Sequence, residues 1–169
     1  MSKYYLYQDE RKCIACRSCQ VQCKVNKGLG VGPKLSQIVE VGQVNIAGIP
    51  KANYVYMSCF HCADPWCMAA CPNKAIRKRP QDGIIYIDQD RCAGCKSCIM
   101  ACPWSAPQWD ARKNKTIKCD FCMDRIDEGK KPACVSACPT GSLEFVLTDQ
   151  VPDTKRVRFA REILAGKVR

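Results

Sequence analysis

Short apolar runs, each closed by glycine, proline or charged residues, set the pattern of this chain. Tyr4-Tyr5-Leu6-Tyr7 reads as a strand. Ile38-Val39-Glu40-Val41 and Val44-Asn45-Ile46 suggest a hairpin turning at Gly42-Gln43, and Tyr54-Val55-Tyr56-Met57 is a further strand. Ile76-Arg77-Lys78-Arg79 and Ile84-Ile85-Tyr86-Ile87 flank Pro80-Gln81-Asp82-Gly83, whose Asp-Gly pair signals a tight hairpin. Thr116-Ile117-Lys118 and Leu143-Glu144-Phe145-Val146-Leu147 complete the strands.

Helical pattern is sparser. The segment from Met123 to Pro132 is polar and helical, and a final helix starts at Pro152-Asp153 with Asp153 or Thr154 as its cap. On that helix Val157, Ala160, Ile163 and Leu164 share one face, while Lys155, Arg156, Arg158 and Arg161 occupy the other sides. The apolar face suits docking on a protein partner or packing on the chain's own core. It is too short and too weakly apolar for a membrane surface. Short strands with short helices give an α+β class.

Composition limits what can hold such pieces together. The chain has 169 residues with only four Phe and three Trp, too little apolar bulk for two comfortable cores. No apolar run approaches the length that spans a bilayer. Met1-Ser2-Lys3-Tyr4 opens without an apolar signal segment, which points to the cytoplasm.

Sixteen cysteines change the picture. They fall into four groups of four: Cys13, Cys16, Cys19, Cys23; Cys59, Cys62, Cys67, Cys71; Cys92, Cys95, Cys98, Cys102; and Cys119, Cys122, Cys134, Cys138. The first and third have the C-x2-C-x2-C-x3-C spacing of bacterial four-iron, four-sulfur sites. The second and fourth widen the second gap to four and eleven residues. Proline follows the last cysteine in three groups, whereas Lys24 follows Cys23, so the helix there runs on toward Lys27 until Gly28 stops it. Three closely spaced thiolates hold three corners of one cubane, and the fourth reaches a neighbouring one.

Two other uses of cysteine fit less well. A disulfide framework suits a small secreted scaffold and does not call for quadruplets ending in Cys-Pro. Structural zinc joins two separated C-x2-C pairs, whereas three groups here place a triple in one short loop. The sixteen cysteines are therefore read as iron ligands of four [4Fe-4S] clusters, with none left over.

The clusters also reinterpret the charge. A formal +11 suggests nucleic acid at first sight. Each oxidised cluster with four thiolates carries about two negative charges, so the loaded protein falls to about +3. The basic excess is then compensation for clusters, with a small surplus for an acidic partner, and nucleic acid is not expected.

Several residues have two readings. His61, the only histidine, lies between Cys59 and Cys62, whose ligand slots are filled, so it reads as a hydrogen-bonding neighbour of a cluster rather than a ligand or proton shuttle. Trp104 and Trp109 read as core rather than as a shield over a cluster. Residues 28–53 form either a cover over a cluster or a flap for a partner. Their Gly28, Gly30, Gly32 and Pro33 lack the Gly-Lys-Ser/Thr of a phosphate loop.

The cysteine order, together with Cys59-Phe-His-Cys62-Ala-Asp-Pro65-Trp-Cys67, Cys102-Pro103-Trp-Ser-Ala-Pro107-Gln108 and Lys118-Cys119-Asp120-Phe-Cys122, resembles the four-cluster electron-transfer subunit of the dimethyl sulfoxide reductase and formate dehydrogenase families. Similar small subunits serve tungsten aldehyde oxidoreductases, hydrogenases and carbon monoxide dehydrogenases. The likeness covers residues 4 to about 148. Some nitrate reductase relatives have tryptophan in place of the second cysteine of group three; here it is Cys95, so four complete clusters are expected.

The resemblance implies that group one pairs with group four and group two with group three. One cluster then takes Cys13, Cys16, Cys19 and Cys138, and its neighbour takes Cys119, Cys122, Cys134 and Cys23. A third takes Cys59, Cys62, Cys67 and Cys102, and the fourth Cys92, Cys95, Cys98 and Cys71. The implied fold is two ferredoxin-like halves, residues 1–53 plus 112–150 and residues 54–111, followed by a helical tail over 151–169.

With every iron bound by cysteine, no open position is left for substrate, so the chain is expected to be no catalyst alone. It reads as an electron-transfer subunit between a molybdenum or tungsten bis-pterin catalytic subunit and a flavin subunit, a quinone-linked subunit or a ferredoxin. It has no membrane span of its own, and a partner with a twin-arginine signal would let it be exported folded. Two rivals remain: a freely diffusing polyferredoxin or a hydrogenase- or carbon monoxide dehydrogenase-linked ferredoxin, and a four-cysteine zinc scaffold.

Overall fold

A computed structural model describes residues 2–46 and 48–164. Its strands are β1 (Tyr4–Gln8), β2 (Ser36–Ile46), β3 (Ile49–Ser58), β4 (Ile76–Lys78), β5 (Ile85–Ile87), β6 (Gln108–Asp110), β7 (Lys115–Ile117) and β8 (Leu143–Leu147). The helices are α1 (Ser18–Asn26), α2 (Trp66–Ala69), α3 (Ser97–Ala101), α4 (Met123–Asp127), α5 (Ala133–Ser136) and α6 (Val151–Leu164). This is a mixed α+β protein whose regular elements are mostly one turn or one short ladder long.

Among the described residues the strands pair two by two and build no larger sheet. β1 and β8 pair antiparallel, Tyr4 opposite Leu147 and Gln8 opposite Leu143, which brings the start of the chain to the far end of the cysteine region. Ser142 Oγ donates to the Asp9 carbonyl at 2.7 Å, and Ser18 Oγ to the Ala137 carbonyl at 2.9 Å, so α1 is tied to the α5 segment 119 residues away. Hairpins β4–β5 and β6–β7 are local.

The longest ladder corrects the sequence expectation. β2 does not turn at Gly42-Gln43; it runs on to Ile46 and pairs with β3 along its length. Gly42 is instead the extra residue of a bulge between Val41 and Gln43, at φ 52. A left-handed glycine in this position bends a strand without ending it. The last pair of the ladder is Ile46 with Ile49; Ala47 lies outside the described residues. The base of the hairpin packs inward, where Ile38 and Tyr56 join Cys19, Cys134, Val135 and Leu143 in one buried cluster. Val39, Val41 and Val55 face out.

Helix α1 continues past Cys23 because no proline stops it. It closes in a Schellman arrangement, with Leu29 N–H on the Lys24 carbonyl at 2.9 Å and Gly28 N–H on the Val25 carbonyl at 3.2 Å. Gly28 supplies the left-handed φ of 59 that this cap needs. The extra turn carries Lys27 to Asp120 at 2.9 Å and Asp124 at 3.0 Å.

Three further expectations shift. The final helix begins at Val151, after a 3-10 turn over Thr148–Gln150, rather than at Pro152-Asp153. Pro152 fits there because the first turn of a helix needs no N–H donor. Val157, Ala160, Ile163 and Leu164 are exposed, so this face does not pack on the described core. Side chains of Thr154, Arg158 and Arg161, and residues 165–169, lie outside the described residues. Trp104, expected in the core, is 52% exposed and meets Phe60 edge to face at 5.5 Å, whereas Trp109 is half-buried under Lys96. Among the described residues no helix is long and apolar enough to cross a membrane.

Candidate metal centres

One local conformation recurs in all four cysteine groups. The residue immediately before the second cysteine is left-handed each time: Ala15 at φ 54, His61 at φ 48, Gly94 at φ 70 and Phe121 at φ 53. For L-residues this region costs about 1–2 kcal/mol. Such strain persists where surrounding structure demands it, most often at functional sites. The turn folds each C-x2-C back on itself so that its thiols face a common space. Arg17 and Lys96, at φ 59 and 65, repeat the device ahead of α1 and α3, which carry the next cysteines.

The quartets gather across long stretches of chain. Cys13, Cys16, Cys19 and Cys138 line one cavity, walled by Ile14, Ile38 and Leu143. Cys71, Cys92, Cys95 and Cys98 line another, walled by Ile76, Ile87 and Thr116. Cys23 faces Cys122, and Cys134 faces Cys23 and Cys122, while Cys119 is next to Cys134. Cys67 faces Cys59 and Cys102. Cys62 is half-buried beside them in the chain. Three electrostatic interactions cross between quartets: Cys19 with Cys134, Cys59 with Cys119, and Cys67 with Cys98.

Burial dominates the thiols' acidity. It pushes Cys134 up to about 12 against the lowering effect of the Tyr56 hydroxyl, and pushes Cys19 and Cys67 up to about 11. Crowded, desolvated thiols of this kind resist ionising alone and need iron to hold them as thiolates. Partial burial also pushes Cys138 up, but the Leu143 N–H and Thr140 hydroxyl outweigh it and hold the thiol below its ordinary value.

Hydrogen-bond donors surround the sulfurs unevenly. Ala75 N–H donates to Cys71 Sγ at 3.2 Å, Ser97 Oγ lies 3.4 Å from Cys95 Sγ, and the Thr116 hydroxyl, with no other hydrogen-bond partner among the described residues, lies near Cys98. Asn26 Nδ2 donates to Cys122 Sγ at 3.7 Å, the Ser36 hydroxyl lies beside Cys23, and the Tyr56 hydroxyl, buried with no other hydrogen-bond partner among the described residues, lies near Cys134. Cysteine spacing gives no hint of these donors, which arrive from strands remote in sequence.

His61 is 1% exposed. Its Nδ1 accepts from the Ile85 N–H at 2.9 Å, which leaves the proton on Nε2, and its ring stacks on Phe121 with centroids 3.8 Å apart. The two left-handed residues of groups two and four thus meet face to face. Burial, helped by the nearby Lys118 ammonium, holds the imidazole well below its ordinary value, so it is neutral. The ring thus hydrogen-bonds to the Ile85 backbone and to no thiol, and its buried Nε2 has no hydrogen-bond partner among the described residues.

No three His, Cys, Asp or Glu side chains among the described residues converge as ligands of a single metal ion. A cubane requires no such convergence, because its four thiolates sit on four separate irons. The donor set is all thiol, grouped by four, and it fits that cofactor.

A family model described as a 4Fe-4S dicluster domain matches residues 50–148, more than half of the chain. The chain belongs to that family. This dicluster protein is 40% identical over 159 residues to the B subunit of the anaerobic dimethyl sulfoxide reductase of Haemophilus influenzae, covering 89% of this chain and 77% of that protein. It is 38% identical over 157 residues to the subunit of the same name in Escherichia coli, covering 89% and 76%. It is 34% identical over 151 residues to the thiosulfate reductase electron transfer subunit PhsB of Salmonella typhi, covering 88% and 78%. The cofactors of the dicluster protein are 4Fe-4S clusters, and its sixteen cysteines suffice for four.

Proposed function

We propose that this chain is the iron-sulfur electron-transfer subunit of a larger oxidoreductase and carries out no substrate chemistry by itself. The observation that carries the reading is the gathering of cysteines remote in sequence into all-thiol groups, each with at least one buried cysteine. When bound, the clusters supply reversible one-electron transfer.

The proposed ligand sets are Cys13, Cys16, Cys19 and Cys138; Cys119, Cys122, Cys134 and Cys23; Cys59, Cys62, Cys67 and Cys102; and Cys92, Cys95, Cys98 and Cys71. The cavities and thiol neighbourhoods described above support them. The chain is proposed to form two ferredoxin-like halves, 1–53 with 112–150 and 54–111, plus the tail 151–169. The β1–β8 ladder and the α1–α5 contact support the first half. Strand β3 crosses one boundary and the β6–β7 turn the other.

Each chain element has a task in this reading. Four thiolates per cluster leave no iron open to substrate. Ile38, Leu143, Ile76 and Ile85 keep water from the sulfurs. The relatives named as reductase subunits support a catalytic partner bearing a molybdenum or tungsten bis-pterin, with a quinone-linked subunit, a flavin subunit or a ferredoxin at the other end. The exposed face of α6 is proposed to contact such a partner.

Anaerobic isolation from the native cells tests this. The expected result is a brown complex with iron and acid-labile sulfide in equal amounts and a stoichiometric larger chain containing molybdenum or tungsten. A chain that emerges alone, brown and stable, would overturn the subunit reading in favour of a mobile polyferredoxin.

A further inference from the structure

Where the proposed halves meet, the backbone of one residue, Ile85, holds two buried side chains. Ile85 lies opposite Lys78 in the β4–β5 ladder, and the adjacent pair is bonded through Arg79 N–H on the Ile84 carbonyl. In an antiparallel ladder the N–H and C=O of the following residue then point away from the partner strand. The Ile85 N–H goes to His61 Nδ1, and its carbonyl accepts from Lys118 Nζ. Lys118 Nζ also donates to the Cys119 carbonyl at 2.6 Å. The lysine follows β7, so it links the β4–β5 hairpin to group four.

Lys118 is 6% exposed, and no carboxylate lies within ion-pair distance of it among the described residues. The cleft over it is lined by Lys27, Tyr86, Lys113 and one carboxylate, Asp120, which is already paired with Lys27 at 2.9 Å. A buried cation without a counter-charge is costly enough that proteins avoid it. What Lys118 does face is sulfur: it acts on Cys67 of one quartet and on Cys119 of another. Cys59 and Cys119 of these quartets also act on each other electrostatically.

We propose that Lys118 is the counter-charge shared by the two clusters that meet across the halves, held between them by the Ile85 and Cys119 carbonyls. A fixed positive charge stabilises the reduced, more negative form of each cluster, so it raises both potentials. Shared placement raises them together, which keeps the step between the two halves from becoming steeply uphill in either direction. For the other two quartets no interaction with Lys118 is resolved among the described residues, so they are expected to feel its charge least. The inference rests on the proposed ligand sets.

The test is an EPR-monitored redox titration of the loaded complex with Lys118→Met and Lys118→Arg. Iron and sulfide content of the unsubstituted complex tests the ligand reading separately, since four clusters must be present whatever Lys118 does. With Lys118→Met, two of four potentials are expected to move negative and two to stay. Lys118→Arg, which keeps the charge, is expected to restore them. Failure of the Met variant to load its clusters while the Arg variant loads normally would also support the counter-charge. No shift, an equal shift of all four, or the same loss with Arg as with Met would overturn it.

Discussion

Replacing Gly94 by alanine separates backbone strain from steric conflict in a cluster loop. Gly94 occupies the left-handed position before Cys95, at φ 70, and a Cβ there would stand 2.5 Å from the Asn114 carbonyl oxygen and 3.2–3.3 Å from the Trp109 ring. The β6–β7 turn would have to retreat by about 0.5 Å merely to bring the oxygen to 3.0 Å. Left-handed alanine costs about 1–2 kcal/mol, offset by about 0.4–1 kcal/mol from the stiffer unfolded chain. Ala15 shows that the strain alone is tolerable, since it holds the same place in group one at φ 54. Forcing extra volume into a packed site adds about 1–3 kcal/mol. Gly94→Ala should therefore cost about 2–4 kcal/mol, a large share of the roughly 5–15 kcal/mol that holds a domain folded.

Gly141 provides the control. It is left-handed at φ 62, and a Cβ there meets nothing within 4 Å. Gly141→Ala should cost only about 1 kcal/mol and shift the apparent Tm by about 2–4 °C. Anaerobic thermal melts should show roughly 5–15 °C for Gly94→Ala. Iron analysis should show loss of about one quarter of the iron, because one cubane of four loses its loop. Equal melting shifts for the two variants with full iron in both would refute the steric argument.

Three other outcomes are expected. Stripping iron from the isolated chain with a chelator under anaerobic, reducing conditions should abolish most far-UV circular dichroism, because the quartets cross-link elements too short to stand alone; native-like spectra of the stripped chain would contradict this. Lys27→Met should destabilise the protein by about 1–2 kcal/mol, as it leaves half-buried Asp120 without its partner at 2.9 Å; a melt unchanged from the parent would show that Asp120 finds water instead. Removing residues 151–169 should release the catalytic partner while leaving the iron content intact, and undisturbed co-purification would eliminate α6 as a docking element.

Much of this was legible from local pattern. The aromatic run Tyr4–Tyr7 and the Asp82-Gly83 turn announced β1 and the β4–β5 hairpin, and Gly28 announced the end of α1 once no proline followed Cys23. Errors came where local and long-range forces compete. Gly42 carries a turn-like φ, yet partners along both strands, Val41 with Asn53 and Gln43 with Ala52, absorb it as a bulge. Trp104 looked like core because indoles usually are, but its nearest ring is Phe60 at the surface.

The sequence by itself determined the donor chemistry available: sixteen thiols in four groups, at spacings that suit iron-sulfur clusters. Those properties depend on residue type and short spacing, which the chain carries with it in any conformation. Only the tertiary structure decided which surroundings each sulfur receives. The stack of His61 on Phe121, the Tyr56 hydroxyl against Cys134, and Lys118 on the Ile85 carbonyl join residues between 33 and 78 positions apart. Hydrogen bonds and Coulomb forces act through space over a few ångströms, so no spacing along the chain could announce them.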